Sequence, residues 1–412
     1  MSDIKEVEIE NVIDKLDLSL LLQENDVKIY KETDTIYDII NTFLEKNYSE
    51  EAFYIVDLGK VIRQYQKWKD LLPRITPFYA VKCNPDILVC KVLASLFSNF
   101  DCASKSEISQ IMSITNDPSR IIFANPCKMS NQLKYSRAND IDTLTFDSDH
   151  ELYKIKLYHP YAKLILRIQV DDSKSVCKFN SKFGCKLDEV EKILKLAQTM
   201  NLDVNGVSFH VGSNCGDAMQ YYNAIKDARK VFDIAKKLNY DMKIIDIGGG
   251  YSDEADHIKF EDCASIINKG LDEIFSDIED LKIWSEPGRF MVNNSHTLVI
   301  NVIGKKEFID ENGEKNFIYY MNDGVYGSFN CIYFDHAKPR IYPFNERNEK
   351  QYKSTIFGPT CDSLDKIADN VMLPELVIGE WCYIEHFGAY TTAASSTFNG
   401  FLNPKVYYIM TV

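Results

Sequence analysis

The sequence between about residues 50 and 290 alternates short apolar runs with longer amphipathic stretches, such as the one at 187–200. Apolar runs of this length predict buried strands, and the amphipathic stretches predict helices that connect parallel strands. Eight of the apolar runs end close to a polar or charged residue: Lys82, Asp101, Asn125, Asp147, Arg167, His210, Asp246 and Glu286. These residues are about 20 to 24 positions apart as far as Arg167 and about 36 to 43 apart beyond it.

Eight such units predict an α/β fold, the (β/α)₈ TIM barrel, because each interval is long enough for one helix and its loops. In that fold the carboxyl ends of the strands form the active-site face, so the polar residues at the run ends are candidate site residues. A doubly wound open sheet is the competing fold for the same alternation.

After Arg289 the pattern changes to short β-rich runs separated by turn-prone segments. This change predicts a second, β-rich domain of the β-sandwich or modified Greek-key type. The first 45 or so residues are too many to cap a barrel, and we expect them to add strands to this second domain. We therefore predict a barrel at 48–292 and a discontinuous β domain at 1–47 and 293–412.

Composition and charge narrow the class of protein. A chain of 412 residues exceeds the ~250–300 residues at which single cores stop growing, which supports two domains. The 47 Lys and Arg residues against 61 Asp and Glu residues give a net charge of −14, which disfavours binding to nucleic acid or anionic lipid. The 11 cysteines include no CxxC pair, the N-terminus is acidic, and no apolar run approaches ~18 residues. These features predict a soluble cytoplasmic protein without a membrane segment.

Lys82 closes the apolar run PFYAVK and is the first candidate for chemistry. A lysine inside a barrel mouth loses solvent, which lowers its pKa and makes the amine a better nucleophile toward aldehydes. This placement suggests a Schiff-base lysine. The structural alternative is a lysine that pairs with a nearby carboxylate such as Asp101.

Gly248, Gly249 and Gly250 directly follow another apolar run. A glycine-rich turn after a strand lets backbone N–H groups approach an anion such as phosphate, although it can also be a turn without a ligand. Arg289, in the segment EPGR, adds a guanidinium suited to bidentate phosphate binding. The spacing matches neither a dinucleotide fingerprint nor a P-loop, so the two elements together favour another phosphorylated cofactor.

Three further residues have both a functional and a structural interpretation. Glu286 is either an ion-pair partner of Arg289 or the carboxylate that keeps a pyridine nitrogen protonated in a pyridoxal phosphate enzyme. His210 is either a core histidine or a ring that lies against a flat cofactor. Cys361 follows Gly-Pro-Thr on a predicted loop and is either accessible and reactive or inert, whereas the other ten cysteines are expected to be buried and inert. Metal binding is weakly supported, because no HExxH motif or clustered His/Cys spacing is present.

Twelve sequence blocks in one order resemble the ornithine-decarboxylating branch of the fold type III pyridoxal-phosphate decarboxylases. The blocks are PFYAVKCN, FDCASKSEI, ANPCK, TFDS, DDSKSVCKFNSKFG, GVSFHVGS, IDIGGG, EPGR, NDGVYGSFNC, FDHAKP, GPTCDSLD and GAYTTAASSTFNGF. The family fold, a barrel followed by a β domain that recruits the N-terminus, agrees with the pattern described above.

The resemblance implies that the cofactor is pyridoxal 5′-phosphate. Lys82 would form the Schiff base with it, Glu286 would hold the pyridinium nitrogen, and His210 would lie over the ring. The resemblance assigns the phosphate of the cofactor to Ser213, Gly248, Gly249, Gly250, Arg289 and Tyr390. It assigns the polar edge of the cofactor to Asp101 and Arg167.

The resemblance also implies decarboxylation of L-ornithine to putrescine and carbon dioxide, the first step of polyamine biosynthesis. Asp335 and Asp362 would receive the distal ammonium of the substrate, and Cys361 would return a proton to the α-carbon. Tyr326 and Phe398 would line the pocket. The family is a homodimer with shared sites, to which the partner subunit contributes the residues equivalent to Tyr326, Cys361 and Asp362.

Several alternatives and departures from the family pattern remain. One alternative is a lysine, arginine or diaminopimelate decarboxylase, although Asp362 and the segment around Asp335 match the ornithine type. The other is a catalytically inactive homologue of the antizyme-inhibitor type, although such proteins tend to lose catalytic positions that this chain keeps. Asn214 stands where many relatives have glycine. Binding of an antizyme-type regulator would use the exposed helix expected near 131–140.

Overall fold

The computed structural model describes residues 24–46, 49–252, 258–344 and 349–412. The chain separates into two compact units, one formed by Ile62–Met291 and the other by the described residues up to Val61 together with Val292–Val412. We call these the barrel unit and the β unit. The part of the predicted β domain at 1–23 lies outside the described residues.

The regular elements form two groups along the chain. The first group runs through the end of the barrel unit: β1 (Lys28–Tyr30), α1 (Ile36–Lys46), β2 (Phe53–Asp57), α2 (Leu58–Leu71), β3 (Ile75–Ala80), α3 (Ile87–Ser95), β4 (Asn99–Cys102), α4 (Lys105–Thr115), β5 (Ile121–Phe123), α5 (Ser130–Ala138), β6 (Thr143–Phe146), α6 (Asp149–Tyr158), β7 (Lys163–Arg167), β8 (Ser175–Cys177), α7 (Val190–Thr199), β9 (Asp203–Ser208), β10 (Ser213–Cys215), α8 (Met219–Lys237), β11 (Ile244–Asp246), α9 (Phe260–Ile274), β12 (Lys282–Ser285) and α10 (Arg289–Val292). The second group is β13 (His296–Ile309), β14 (Lys315–Met321), α11 (Cys331–Phe334), β15 (Tyr342–Pro343), β16 (Gln351–Phe357), β17 (Lys366–Pro374), β18 (Trp381–Ile384) and β19 (Lys405–Thr411).

Eight parallel strands close into a barrel in the order β3-β4-β5-β6-β7-β9-β11-β12. They are the eight apolar runs identified in the sequence, so the predicted (β/α)₈ fold is confirmed. An open sheet is excluded because β12 pairs with β3, Ile283 opposite Ile75, and thereby joins the two ends of the strand order.

The barrel interior is packed with side chains. Phe78, Ile122, Ile165 and Ile244 form one cluster and come from β3, β5, β7 and β11, which are alternate strands around the barrel. A layer of four large side chains from alternate strands is the usual filling of such a barrel. Because the middle of the barrel is filled in this way, a ligand of the barrel unit has to bind at one of its ends.

Local capping defines the start of the helix that follows β4. Ser104 accepts a hydrogen bond from the backbone N–H of Glu107 at 3.3 Å, and Glu107 Oε2 accepts one from the backbone N–H of Ala103 at 2.6 Å. This reciprocal arrangement resembles a capping box, which satisfies backbone donors that an α-helix leaves unpaired at its first turn. It fixes the backbone immediately after Asp101.

The β unit contains a mixed sheet of nine strands. Its longest strand, β13, pairs antiparallel with β2 and β18 through its first half and with β14 through its second half. β1 pairs in parallel with β19, so the segment before residue 45 does contribute a strand to this sheet, as expected. β2 also belongs to this sheet, although the domain limits proposed from the sequence, 48–292, assign it to the barrel.

A helix that crosses a bilayer needs about 20 consecutive and mostly apolar residues. Within the described ranges, none of the helices is both long enough and apolar enough to do so.

A buried carboxylate ties the end of the chain into the β unit. Asp57, which is 4% exposed at the end of β2, accepts hydrogen bonds from the backbone N–H of Gly59 at 2.9 Å and of Thr411 at 3.1 Å. Its other oxygen accepts the Thr411 hydroxyl at 2.7 Å. β19, which ends at Thr411, is hydrogen-bonded in parallel to both β1 and β2.

We expect Thr411→Val to lower the free energy of unfolding by about 1.5–3 kcal/mol, since it removes a hydrogen bond to a buried charge at nearly constant volume. The measurement is urea unfolding. Thr355→Val is the matched control, because Thr355 donates to Asp369 at 2.8 Å at the protein surface, where the loss should stay below about 1 kcal/mol. Equal losses in the two variants would contradict the role given to the buried carboxylate.

Candidate active site

The ends of the barrel strands place several polar residues side by side. Arg167, the last residue of β7, is in register with Ser208 of β9, and Ser208 is in register with Asp246 of β11. Asp101 lies in β4, opposite Ala80 of β3. The strand-end positions chosen from the sequence therefore lie at the carboxyl end of one closed barrel, where polar side chains from neighbouring strands can act on the same ligand.

Lys82 lies two residues beyond β3, in a short 3₁₀ turn at Val81–Cys83. Its ammonium forms an ion pair with the carboxylate of Asp101, whose side chain is 1% exposed, whereas the Lys82 side chain is 42% exposed. The contact that the sequence raised as a structural alternative is therefore present. We expected Lys82 to be shielded from solvent inside the barrel mouth. Its side chain is instead partly exposed, because the strand ends before the lysine and leaves it on the barrel rim.

A group of buried acids lies next to this ion pair. Burial, followed by the charges of Asp246 and Asp101, raises the pKa of Glu286 well above its usual range, while Lys82 and Arg167 act in the opposite direction. Burial likewise raises the pKa of Asp246 to about 6. One oxygen of Asp101 has no hydrogen-bond partner among the described residues. The side chains of Asp246 and Glu286 are hydrogen-bonded to each other. The site therefore holds carboxyl groups whose ionised forms its own cations do not fully stabilise, and it suits a cationic ligand group.

Arg167 is a second cation close enough to these acids to interact with their charges. Burial lowers its pKa, and the charges of Glu286, Asp147, Asp101 and Asp246 oppose that shift. Its guanidinium also lies 5.1 Å from the ring centre of Phe183. Because a guanidinium stays protonated even when it is buried, Arg167 supplies a permanent positive charge to the acid group.

His210 lies two residues beyond β9 and is held as a neutral imidazole. Burial, together with the charges of Arg167 and Lys82, lowers its pKa well below the usual range. Its Nδ1 atom accepts the backbone N–H of Gly212 at 3.0 Å, which requires an unprotonated Nδ1. The ring of Phe179 contacts the imidazole edge-on at 4.9 Å. The imidazole is thus restrained in both orientation and tautomer.

The glycine segment after β11 fits closely against its neighbours. Gly248 has φ +65° and Gly250 has φ +106°, which are left-handed conformations that favour glycine. A Cβ atom on Gly249 would lie 2.5 Å from the carbonyl oxygen of Glu286, and one on Gly250 would lie 2.3 Å from that of Gly212. Side chains are therefore excluded at these positions, and the backbone itself forms the surface of the loop.

Ser213 and Arg289 lie close to each other and to this loop. One guanidinium nitrogen of Arg289, a buried residue, donates to Ser213 Oγ at 3.4 Å, and the N–H of Cys215 donates to the carbonyl of Gly250 at 3.0 Å. Asn214, next to Ser213, has φ 51°, a conformation that asparagine tolerates. The predicted phosphate-side residues of the barrel unit are therefore brought together, and a hydroxyl, a guanidinium and a bare backbone turn fit a phosphate group.

A second group of predicted residues lies in the β unit. The Tyr326 hydroxyl donates to the carboxylate of Asp362, and the rings of Tyr326 and Phe398 stack with their centres 4.4 Å apart. Cys361 is exposed, and its backbone N–H donates to Asn399 Oδ1 at 3.0 Å. Hydrogen bonds from the Leu364 N–H and from Tyr326 lower the pKa of Asp362, so this carboxyl stays charged and can receive a cation.

The remaining two predicted residues also belong to the β unit. Asp335 directly follows α11 and is 7% exposed. Tyr390 has φ 56°, an uncommon conformation for an aromatic residue. All predicted substrate residues and Tyr390 therefore lie in the β unit, whereas the other predicted cofactor residues lie in the barrel unit.

Some residues of the site received no role from the sequence. Asp246 and Asp147 were noticed only as strand ends, yet Asp246 belongs to the acid group and Asp147 accepts the Gly184 N–H at 2.8 Å. Their strand-end position, the same signal that identified Glu286, could have identified them. No sequence signal distinguishes Phe179, because its contact with the imidazole of His210 depends on the path of a long loop.

The cysteines differ in exposure more than the sequence suggested. Cys361 is exposed, as expected for the accessible thiol, but Cys127 is exposed as well, and Cys177 is partly exposed. The expectation of burial for the other ten cysteines was therefore wrong for Cys127. Among the residues described by the structure, no group of three or more His, Cys, Asp or Glu side chains could hold a metal ion.

We expect Asp246→Asn to stabilise the cofactor-free protein at pH 7. An acid whose pKa is higher in the folded protein than in the unfolded chain binds protons more tightly when folded, so its contribution to stability falls as the pH rises from roughly 4 to 6. Removing this acid should therefore raise stability at pH 7 by on the order of 1–3 kcal/mol and flatten the pH dependence below it.

The measurement is thermal unfolding of the cofactor-free protein between pH 4.5 and pH 7. Asp171→Asn is the control, because hydrogen bonds from Ser173 lower the pKa of that exposed carboxyl, so its removal should give no gain at pH 7. A lower or unchanged melting temperature of Asp246→Asn at pH 7 would argue against an uncompensated acid group.

Comparison with known proteins identifies the family. Residues 58–293 match the family model described as pyridoxal-dependent decarboxylase, pyridoxal binding domain. Ornithine decarboxylase of Rattus norvegicus is 45% identical over 407 residues, which cover 95% of this chain and 88% of that protein. Antizyme inhibitor 2 of Xenopus laevis is also 45% identical, over 403 residues that cover 94% and 88% of the two chains.

The fold is similarly matched by solved structures. The crystal structure of the Paramecium bursaria Chlorella virus arginine decarboxylase bound to agmatine is similar with a TM-score of 0.86 and 36% identity, covering 91% of this chain and all of that one. Both the sequence and the fold therefore agree over nearly the whole chain. The chain belongs to the family of pyridoxal-dependent decarboxylases that includes the ornithine decarboxylases.

Proposed function

We propose that this chain catalyses the decarboxylation of L-ornithine to putrescine and carbon dioxide with pyridoxal 5′-phosphate, the first step of polyamine biosynthesis. The observation that carries the proposal is the barrel rim, where Lys82 is paired with Asp101 beside the half-buried acid Glu286. An amine nucleophile next to an acid that can hold a cationic ring nitrogen is the pair of groups this chemistry needs. Ornithine decarboxylases at 44–45% identity support the choice of substrate.

The cofactor is pyridoxal 5′-phosphate, and the residues of the barrel unit fit it. When bound, the cofactor withdraws electrons from the substrate α-carbon as the carboxylate leaves. Its phosphate would be held by Ser213, the turn at 248–250 and Arg289. A role for Tyr390 in phosphate binding remains a prediction from the sequence. Its aldehyde would be joined by Lys82, and its polar edge would be supported by Asp101 and Arg167.

Glu286 would act through its charge. Its raised pKa belongs to a site without a cationic ligand, since neighbouring carboxyl groups disfavour ionisation. A protonated ring nitrogen beside Glu286 would lower the pKa of this acid, because the opposite charge favours the ionised carboxylate. Glu286 would then hold the proton on that nitrogen, and His210, fixed as a neutral imidazole, would cover the ring without competing for the proton.

Substrate recognition would rest on two carboxylates of the β unit. Asp335 and Asp362 would receive the distal ammonium of ornithine, and Tyr326 and Phe398 would form the apolar wall beside it. Cys361 would deliver its thiol proton to the α-carbon after carbon dioxide leaves: the S–H bond breaks, a C–H bond forms, and the thiolate regains a proton from water. A longer side chain would push its ammonium past the two carboxylates, so lysine and arginine should be poor substrates.

We propose that the active form is a homodimer in which the partner subunit completes each site with its own Tyr326, Cys361 and Asp362. Large apolar side chains near these residues support a protein interface: Phe334 is 71% exposed and Leu364 is 64% exposed. A cytoplasmic location remains a prediction from the sequence. The helix that an antizyme-type regulator would use, expected near 131–140, corresponds to α5.

A non-catalytic function of the antizyme-inhibitor type is the second candidate. It is favoured by one observation, the 45% identity to Antizyme inhibitor 2 of Xenopus laevis. The candidate catalytic residues Lys82, Glu286, Cys361 and Asp362 are all present in this chain, which supports the enzyme.

We expect the purified protein, loaded with pyridoxal phosphate, to release carbon dioxide from ornithine at least about 100-fold faster than from lysine, arginine or diaminopimelate. A misplaced ammonium loses its ionic contact with these carboxylates, and loss of one side of a desolvated charge pair typically costs roughly 2–5 kcal/mol. The measurement is carbon dioxide release at matched substrate concentrations, with Lys82→Ala and Cys361→Ala as controls. Equal rates for ornithine and lysine would contradict the role of Asp335 and Asp362, and a cofactor-loaded protein that released none would favour the non-catalytic function.

We expect an equimolar mixture of Lys82→Ala and Cys361→Ala chains to recover activity that neither variant has alone. If each site takes Lys82 from one subunit and Cys361 from the other, half of the randomly formed dimers are mixed and have one intact site of two, about a quarter of the wild-type activity. The assay follows carbon dioxide release after the variants have exchanged subunits. No recovery, with mixed dimers demonstrated by differential tags, would show that the sites are not shared.

A further inference from the structure

Three loops of the β unit converge on Cys361 and Asp362. The first, at 322–328, holds Tyr326; the second, at 358–365, holds the cysteine and the aspartate; the third, at 391–400, holds Phe398. Buried Asp365, which is 1% exposed, joins the first two loops, since its carboxylate accepts the Val325 N–H at 2.8 Å and the Thr360 N–H and hydroxyl at 2.9 and 2.7 Å.

The third loop is joined to the first through Tyr326. The backbone carbonyl of Tyr326 accepts two hydrogen bonds from Ser396, one from its backbone N–H at 2.8 Å and one from the Ser396 hydroxyl at 3.1 Å. The ring of Phe398 stacks on the ring of Tyr326. The first loop thus contacts both of the others. Asp362 has its own restraints, because its carboxylate accepts hydrogen bonds from the Tyr326 hydroxyl and from the Leu364 N–H.

Asn399 makes the direct link between the third loop and Cys361. Its Oδ1 atom accepts the backbone N–H of Cys361 at 3.0 Å, across 38 positions of sequence. The backbone of Asn399 is left-handed, with φ 55° and ψ 13°, and Gly400 follows at φ 81°. Asparagine and aspartate are the residues that tolerate this conformation and also present a side-chain acceptor.

We propose that Asn399 is a positioning residue for Cys361. The inference rests on the proposed function, in which the Cys361 thiol delivers a proton to the substrate α-carbon. Asn399 fixes the backbone amide of Cys361. Because the Cα–Cβ bond of the cysteine is attached next to this amide, the hydrogen bond helps to set the direction of the thiol. The hydrogen bond to Asn399 acts directly on the proton-delivering residue, whereas the carboxylate of Asp362 is held by Tyr326 and Leu364.

The test compares Asn399→Gly with Asn399→Asp in the full-length, cofactor-loaded protein. Glycine keeps the left-handed conformation and loses the acceptor, whereas aspartate keeps both. We expect Asn399→Gly to accelerate hydrogen exchange of the Cys361 amide by about fivefold to tenfold, since the hydrogen bond that protects it is lost. We expect kcat for ornithine to fall about threefold to tenfold with KM within about twofold, because misdirection of a reacting group affects the chemical step.

The matched control is Asn370→Gly, which changes an exposed asparagine with φ 57° on β17. It should alter neither exchange at Cys361 nor kcat, and Asn399→Asp should keep both close to wild type. Unchanged amide exchange in Asn399→Gly would overturn the proposal, as would faster exchange with an unchanged kcat. A wild-type protein without decarboxylase activity would instead refute the proposed function, because amide exchange is measured independently of turnover.

Discussion

The filled interior of the barrel is the constraint on which the rest of the site depends. A layer of Phe78, Ile122, Ile165 and Ile244 from alternate strands occupies the centre, so no ligand can enter there. Polar residues are then tolerated only where the strands end, and closure of the parallel ring brings those ends together. The candidate chemistry of the barrel unit is therefore concentrated at the rim because its core is apolar and packed, and loops, rather than strands, complete it.

Concentrating acids at this rim has an energetic cost. Asp246 and Asp101 are buried, Glu286 is half-buried, and the charges of the three acids interact. The raised pKa values of Glu286 and Asp246 reflect charges that solvent no longer stabilises. Hydrophobic packing alone would not select such a group. The group of acids is explained by a cation that occupies the site during function. The opposite charge of this cation offsets both the repulsion between the acids and their loss of solvation. The conflict between folding stability and ligand binding is typical of functional sites.

The β unit solves a different problem with loops. Three loops that are far apart in sequence hold a thiol, a carboxylate and two stacked aromatic rings in a fixed relation. The side chains of Asp365 and Asn399 accept hydrogen bonds from backbone N–H groups and thereby hold the loops together. The left-handed turn at 399–400 places the Asn399 side chain for this contact. Cys361 and Phe398 stay exposed and Tyr326 and Asp362 are half-buried, so their positions depend largely on backbone restraints.

The sequence by itself determined the elements whose signal is local. The eight strands of the barrel and the polar residues at their ends could be predicted, because burial and alternation are properties of a few consecutive residues, and the family motifs added candidate roles for Lys82, Glu286 and Cys361. Only the tertiary structure placed β2 in the sheet of the β unit, left Lys82 partly exposed, added Asp246 to the acid group and linked Asn399 to Cys361. These features depend on the register of neighbouring strands and on the paths of loops, which are decided by contacts between residues tens of positions apart.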